Sequence, residues 1–256
     1  MVAKTKLRRI EYIYIRLCVL RAHFFMERYG RILDKRKREI VLLRGSGCIY
    51  KKCTFCDYHL DKCSDENKNF ELNSEILGRI TGEFHELEVI NSGSVFELDS
   101  RTLNLIKNVC MDKGIDIIHF EAHYLYDDKI KELRDSFKDF TLKMKLGLET
   151  FDHDLRENVL KKGIPERDPK IISRNFEEAN FLFGIDGQTV MSMQNDITLG
   201  LENFERICIN VMCENSTKIK PNKTVIDLFV RELYPIYKDD ERVDILINNT
   251  DFGVGD

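Results

Sequence analysis

No apolar run in this 256-residue chain approaches the roughly 20 residues that a membrane span requires, which argues against a transmembrane protein. Arg16 and Arg21 interrupt the apolar stretch near the N-terminus, so a secretory signal is not expected there either. Proline is scarce, with four residues, and no Ser/Gly/Pro-rich linker and no repeat of about 20–50 residues divides the chain. A single α/β domain is the economical expectation. Cysteine is too thin for a disulfide scaffold, at eight residues, and Cys18, Cys110, Cys208 and Cys213 sit in apolar segments that should bury them as free thiols. A reducing cytoplasm is therefore the expected compartment. The formal net charge of −4 gives no whole-molecule footprint for nucleic acid.

One local asymmetry runs against that balance. Residues 4–38 carry Lys4, Lys6, Arg8, Arg9, Arg16, Arg21, Arg28, Arg31 and the run Lys35-Arg36-Lys37-Arg38. Ile10, Ile13, Leu17, Leu20 and Phe24 recur beside them at helical spacing, so residues 1–37 are expected to form a helical extension with a solvated basic face. An RNA-binding arm is the alternative.

From there, apolar strand-like runs alternate with amphipathic stretches. Strands are expected at 40–44, 87–91, 115–121, 142–148, 180–184, 207–212 and 243–247. Helices are expected between them, among others at 73–84, 101–113, 128–137, 152–162, 170–179 and 224–237. Strands alternating with helices imply parallel βαβ units. In barrel-like α/β folds the chemistry gathers at the C-terminal ends of the strands. Polar and glycine residues accumulate at those ends here: Cys48, Asn91-Ser92-Gly93-Ser94, Glu121-Ala122-His123, Gly147-Leu148-Glu149-Thr150, Gly184-Ile185-Asp186-Gly187 and Asn248-Asn249.

The most telling segment is Gly47-Cys48-Ile49-Tyr50-Lys51-Lys52-Cys53-Thr54-Phe55-Cys56. Three thiolates spaced C-x4-C-x2-C on one loop can hold three irons of a [4Fe–4S] cluster, a group that normally takes four cysteines. The fourth iron is then free to bind a small molecule. A closed zinc site of Cys48, Cys53 and Cys56 with His59 or Cys63 is the competing reading of the same loop. Zinc, however, predicts no accumulation of polar residues at the strand ends.

With the cysteine loop, Gly147-Leu148-Glu149-Thr150 and Gly184-Ile185-Asp186-Gly187-Gln188-Thr189 in this order, residues 38–215 resemble a radical S-adenosylmethionine (SAM) enzyme. The loop departs from the commonest C-x3-C-x2-C by one residue. The resemblance implies a partial (β/α)6 barrel over 38–215, closed by a C-terminal helix, strand and tail over 216–256. It also implies a [4Fe–4S] cluster on Cys48, Cys53 and Cys56, and SAM cleavage to a 5′-deoxyadenosyl radical that abstracts hydrogen from the substrate. SAM contacts are implied for Phe55, for the Ser92-Gly93-Ser94 turn, and for Glu121, Glu149, Lys161 and Asn180, with Lys161 as the cation for the methionyl carboxylate. Buried acids and carboxylates need such partners.

There is no second cysteine cluster, and a compact chain suits a small-molecule substrate. Arg44-Gly45-Ser46-Gly47-Cys48, Cys56-Asp57-Tyr58-His59-Leu60-Asp61 and Asn91-Ser92-Gly93-Ser94-Val95-Phe96-Glu97 look most like the queuine lyase subgroup. That likeness implies cleavage of queuine to 7-aminomethyl-7-deazaguanine for queuosine salvage, with flavodoxin or ferredoxin as electron donor. Glu97, His123, Tyr124, Asn248, Asn249 and Asp251, at strand ends or in the tail, are the expected substrate contacts. The alternatives are a radical SAM enzyme acting on tRNA or another small molecule, and a non-catalytic zinc protein.

Overall fold

A computed structural model describes residues 27–247. Eight strands form one sheet in strict sequence order. They are β1 (Tyr29–Ile32), β2 (Arg38–Leu43), β3 (Glu86–Asn91), β4 (Ile117–Ala122), β5 (Thr141–Glu149), β6 (Glu178–Phe183), β7 (Arg206–Val211) and β8 (Val243–Leu246). β1 pairs antiparallel with β2, and every later pair is parallel. Helices α1 (Glu66–Leu77), α2 (Ser100–Lys113), α3 (Ile130–Ser136), α4 (Val190–Asn203) and α5 (Lys223–Glu232) supply the crossovers. The sheet curls into a half-barrel, because parallel strands with helices on one face twist and wrap around their other face.

Two-residue periodicity explains both faces of that sheet. One phase of the strands is apolar and packs under the helices: Val41 and Leu43, Leu87 and Val89, Ile118 and Phe120, Met144 and Leu146, Phe181 and Phe183, Ile207 and Ile209 are all buried in one core. The other phase faces the lumen of the barrel and is largely polar. It includes Arg38, Glu88, Glu121, Lys145, Glu149, Asn180, Asn210 and Asp244. The helices begin on acids and amides: Asp65 accepts from Asn67 and Lys68 N–H ahead of α1, and Asp99 from Arg101 and Thr102 N–H ahead of α2.

Several expectations need correcting. Within the anticipated N-terminal helix, Tyr29–Ile32 is an edge strand; residues 1–26 lie outside the described residues. The helix expected at 73–84 starts earlier, at Glu66, where Asp65 caps it. The one expected at 152–162 is only a π-helical turn at Leu155–Val159, and that at 170–179 a single turn at Pro169–Ile172. Helix α4 fills the stretch between β6 and β7, as the alternation of strands and helices implies. The tail beyond 247 lies outside the described residues.

The floor of the barrel is ionic. Arg38 pairs with Glu88 (2.5 Å) and Asp244 (3.1 Å), and Arg206 with Glu178 (3.1 Å) and Asp244 (2.7 Å). Lys145 pairs with Glu88, Arg36 with Glu86, and His119 lies between Glu86 (2.7 Å) and Glu178 (3.0 Å). Burial alone would raise the Glu88 carboxyl, but Arg38, Lys145 and Arg206 hold it well below the usual range. Lys35 also donates from Nζ to the Val243 carbonyl, so β1–β2 and β8 are tied across the open side at this end.

Candidate active site

Above the ionic floor lies a cavity of about 790 Å3. That is the size of a pocket for a small ligand rather than a groove for a macromolecule. Cys48, Cys53 and Cys56 line it on the loop that follows β2. Contacts from two later segments hold their loop. Thr54 N–H donates to the Leu160 carbonyl (3.1 Å), Tyr50 OH to the Lys161 carbonyl (2.8 Å), and Asn215 Nδ2 to the Phe55 carbonyl (2.7 Å).

The turn after β3 comes against this loop. Glu97 Oε1 accepts from Ile49 N–H (2.6 Å) and Tyr126 OH (3.1 Å), while Oε2 accepts from Ser94 N–H (2.7 Å). Gly93 permits the approach: a Cβ there would lie 1.9 Å from Glu97 Oε2 and 3.1 Å from Cys48 Cα. Ser92 lines the cavity, and its hydroxyl is buried with no partner among the described residues. A buried hydroxyl left without a partner beside a cavity calls for an explanation, and a bound ligand is one that would supply it.

At the end of β5 a bulge between Gly147 and Glu149 places Glu149 in the left-handed region (φ 73°). Its Oε1 accepts from Lys162 Nζ at 2.9 Å, and both residues line the cavity. Gly147 makes room for this pair, since a Cβ would sit 2.8 Å from Lys162 Nζ. Burial would lower the Lys162 ammonium, but Glu149 and the neighbouring cysteines hold it above its ordinary value. Its Nζ also stands 5.6 Å from the centre of the Phe55 ring. Asp196 of α4 fixes the turn from behind, accepting from Thr150 Oγ1 (2.8 Å) and Phe151 N–H (2.7 Å).

His123 also lines the cavity. Its Nδ1 accepts from Leu125 N–H (3.0 Å), so Nε2 carries the proton and donates to the Lys162 carbonyl (2.9 Å). Burial and the Lys162 cation push its pKa down to about 4, which leaves the ring neutral. Two residues earlier on β4, Glu121 faces the lumen about 6–7 Å deeper. Its Oε1 accepts from Asn180 Nδ2 at 2.8 Å, and burial raises its carboxyl.

Of the residues anticipated for the site, Cys48, Cys53, Cys56, Phe55, Ser92, Gly93, Glu121, His123, Glu149 and Asn180 are brought together around this cavity. Four are placed elsewhere. Lys161 is exposed, with only its backbone turned to the site through Tyr50; the buried cation is its neighbour Lys162. Glu97 and Ser94 brace the cysteine loop rather than line the cavity, and Tyr124 stacks on Phe176 (6.5 Å between centroids). Asn248, Asn249 and Asp251 lie outside the described residues. Asn210, Met212 and Asn215, not singled out from the sequence, line the cavity from β7 and the loop after it. Asn210 and Met212 continue the lumen-facing alternation from Cys208 along that strand.

The donor set suits an iron–sulfur cluster. Burial pushes Cys53 up to about 12 and raises Cys56 as well, so thiolates here call for the positive charge that a metal centre supplies. His59 and Cys63 do not line the cavity. Among the described residues no group of three or more His, Cys, Asp or Glu side chains is placed to hold a single ion.

No protein-family model matches the chain. No curated protein sequence matches it. Among solved structures, a queuine lyase from Clostridium spiroforme bound to SAM and queuine is 43% identical, with a TM-score of 0.86, covering 91% of this chain and 100% of that one. Streptococcus suis SuiB bound to SAM is 13% identical with a TM-score of 0.50, over 80% of this chain and 46% of that one; this likeness is one of fold.

Proposed function

The chain belongs to the queuine lyase subgroup of the radical SAM enzymes, and from that premise we propose that it cleaves queuine to release 7-aminomethyl-7-deazaguanine. The observation that carries the reading is one cavity of about 790 Å3 with three cysteines at one end and acids, amides and a histidine along its walls.

Cys48, Cys53 and Cys56 are the ligands for a [4Fe–4S] cluster, and the unpartnered Ser92 hydroxyl with the backbone at Gly93 receives the amino group of SAM beside them. Lys162, held by Glu149, is the cation for the SAM carboxylate, taking the role anticipated for Lys161. A charged, buried partner is what such a carboxylate needs. Glu149 contributes its second oxygen to the ribose. Cluster and SAM together supply a 5′-deoxyadenosyl radical able to take a hydrogen atom from a substrate carbon. The protein's own part is to hold that carbon close and keep water away. Leu42, Ile90, Leu182 and Met212 form the apolar portion of the wall that does so. His123, neutral and anchored at both ring nitrogens, shapes the wall and carries no proton to the site. Flavodoxin or ferredoxin supplies the electron, and the product returns to tRNA modification.

The test is an anaerobic assay by mass spectrometry on reconstituted, dithionite-reduced protein with SAM, with and without queuine. Queuine-dependent 5′-deoxyadenosine together with 7-aminomethyl-7-deazaguanine is expected. Slow 5′-deoxyadenosine that ignores queuine would discard the lyase and leave a radical SAM enzyme of another substrate.

A further inference from the structure

Four acids on the strands line the cavity among the described residues: Glu88, Glu121, Glu149 and Asp244. Three of them have a cation. Glu88 is held by Arg38 and Lys145, Asp244 by Arg38 and Arg206, and Glu149 by Lys162. Glu121 has none within ion-pairing distance among the described residues. Its single partner there is Asn180, whose Nδ2 donates to Oε1; Oε2 is left for the cavity. A desolvated carboxylate without a cation is costly unless N–H or O–H donors come to it.

Its neighbourhood is equally unfinished. Asn180 spends an N–H on Glu121, which fixes the plane of the carboxylate, and its own carbonyl oxygen has no partner among the described residues. The Asn210 side chain lines the same cavity from β7 and makes no hydrogen bond among the described residues. β4, β6 and β7 therefore present a fixed acceptor pair flanked by a free amide, one layer below His123 and well below the cysteine loop.

The geometry points to Glu121, Asn180 and Asn210 as the wall that reads the Watson–Crick edge of a 7-deazaguanine. This assignment rests on the queuine reading above, and it moves Glu121 and Asn180 from the cofactor to the substrate. The edge offers two adjacent donors, N1–H and the 2-amino group, with the 6-oxo acceptor beside them. A carboxylate takes both donors at once, and the Asn210 amide N–H reaches the 6-oxo oxygen. The depth fits as well. The bond to be cleaved must lie toward the cysteine end, so the unreacting ring system extends away from it, toward Glu121.

The experiment is anaerobic calorimetry on cluster-reconstituted protein with SAM, queuine, 7-aminomethyl-7-deazaguanine and the 2-desamino analogue of queuine. Wild-type protein is expected to bind queuine at least about tenfold more tightly than the 2-desamino analogue, the loss of one hydrogen bond to a charged acceptor. Glu121→Gln turns an N–H toward the two donors. It should weaken queuine and 7-aminomethyl-7-deazaguanine by about 100-fold, abolish the preference for the 2-amino group and leave SAM affinity unchanged. The analogue comparison on wild-type protein needs no variant to fold. Equal affinity of wild-type protein for queuine and its 2-desamino analogue would overturn the inference, as would a Glu121→Gln protein that loses SAM and keeps queuine. Both outcomes leave the queuine reading standing. Failure of wild-type protein to bind queuine at all would overturn both.

Discussion

Gly93→Ala tests how the cysteine loop is held. The added methyl carbon would lie 1.9 Å from Glu97 Oε2 and about 3.1 Å from both Cα and N of Cys48. No real Cβ contact survives at 1.9 Å, so Glu97 must swing away or the Ser92–Ser94 turn must shift. Either movement breaks the carboxylate's bonds to Ile49 N–H, Ser94 N–H and Tyr126 OH. Hydrogen bonds to a charged group are each worth about 1.5–3 kcal/mol when buried. Only the bond to Ile49 N–H reaches the cysteine loop; the other two hold Glu97 to its own turn and to Tyr126. Ile49 is 65% exposed, so the low end of that range applies and the loss of loop fixation is about 1.5 kcal/mol. That corresponds to roughly one order of magnitude in the population of the loop poised to bind its cluster. The assay is iron and sulfide content with visible absorbance after anaerobic reconstitution, alongside a thermal melt of the apo protein. Low cluster occupancy with a folded apo protein is expected, and Glu97→Ala should share the defect. Full occupancy in Gly93→Ala would refute the latch.

Three further outcomes follow from the geometry. Lys162→Met should weaken SAM binding by calorimetry at least about tenfold, since it removes a charge-assisted hydrogen bond to the carboxylate, whereas Lys161→Met should leave it unchanged; the reverse pattern would restore Lys161 to the site. Burial raises Asp196 to about 7, so between about pH 4 and pH 7 the folded protein holds a proton that the unfolded chain has released, and stability falls as pH rises through that window. The stability of Asp196→Asn relative to wild type should therefore climb across the window by on the order of 4 kcal/mol and level off above it, read by urea unfolding at several pH values; a difference independent of pH would contradict this. Lys145→Met should cost about 3–5 kcal/mol in the same unfolding experiment, because Glu88 keeps its burial and loses one of its two nearest cations; a neutral result would mean that Arg38 alone compensates it.

The strands after β1 were legible because each is apolar on the phase that meets the helices and ends in polar or glycine residues. The cysteine loop was legible because its spacing has few uses. The Lys161–Lys162 choice was not. A helix over 152–162 would carry successive side chains around one axis, but the chain leaves the π-turn through Lys161 at φ 55° and Gly163 at φ 73°. That left-handed step sends neighbouring side chains to opposite sides, and hydrophobic periodicity does not report it. Glu97 carried a readable signal that its strand-end position obscured: Ser94-x-x-Glu97 has the spacing of a capping box, in which the acid turns back on the backbone. Tyr29–Ile32 lay hidden in a basic segment whose apolar residues, just upstream, recur at helical spacing. An edge strand of four residues pairing with β2 is decided by that neighbour rather than by its own pattern.

The ionic floor has a consequence for how this barrel can change over time. Arg36, Arg38, Lys145 and Arg206 are matched there against Glu86, Glu88, Glu178 and Asp244, and the partners come from several different strands and the turn before β2. Removing one member leaves its partner's largely buried charge uncompensated, while exchanging a whole pair for well-packed apolar residues can be neutral. Substitutions at these distant positions are therefore tolerated together and penalised singly. Sequences that share this floor should lose or keep it in pairs, with Glu88 tracking Lys145 and Arg38, and Asp244 tracking Arg206.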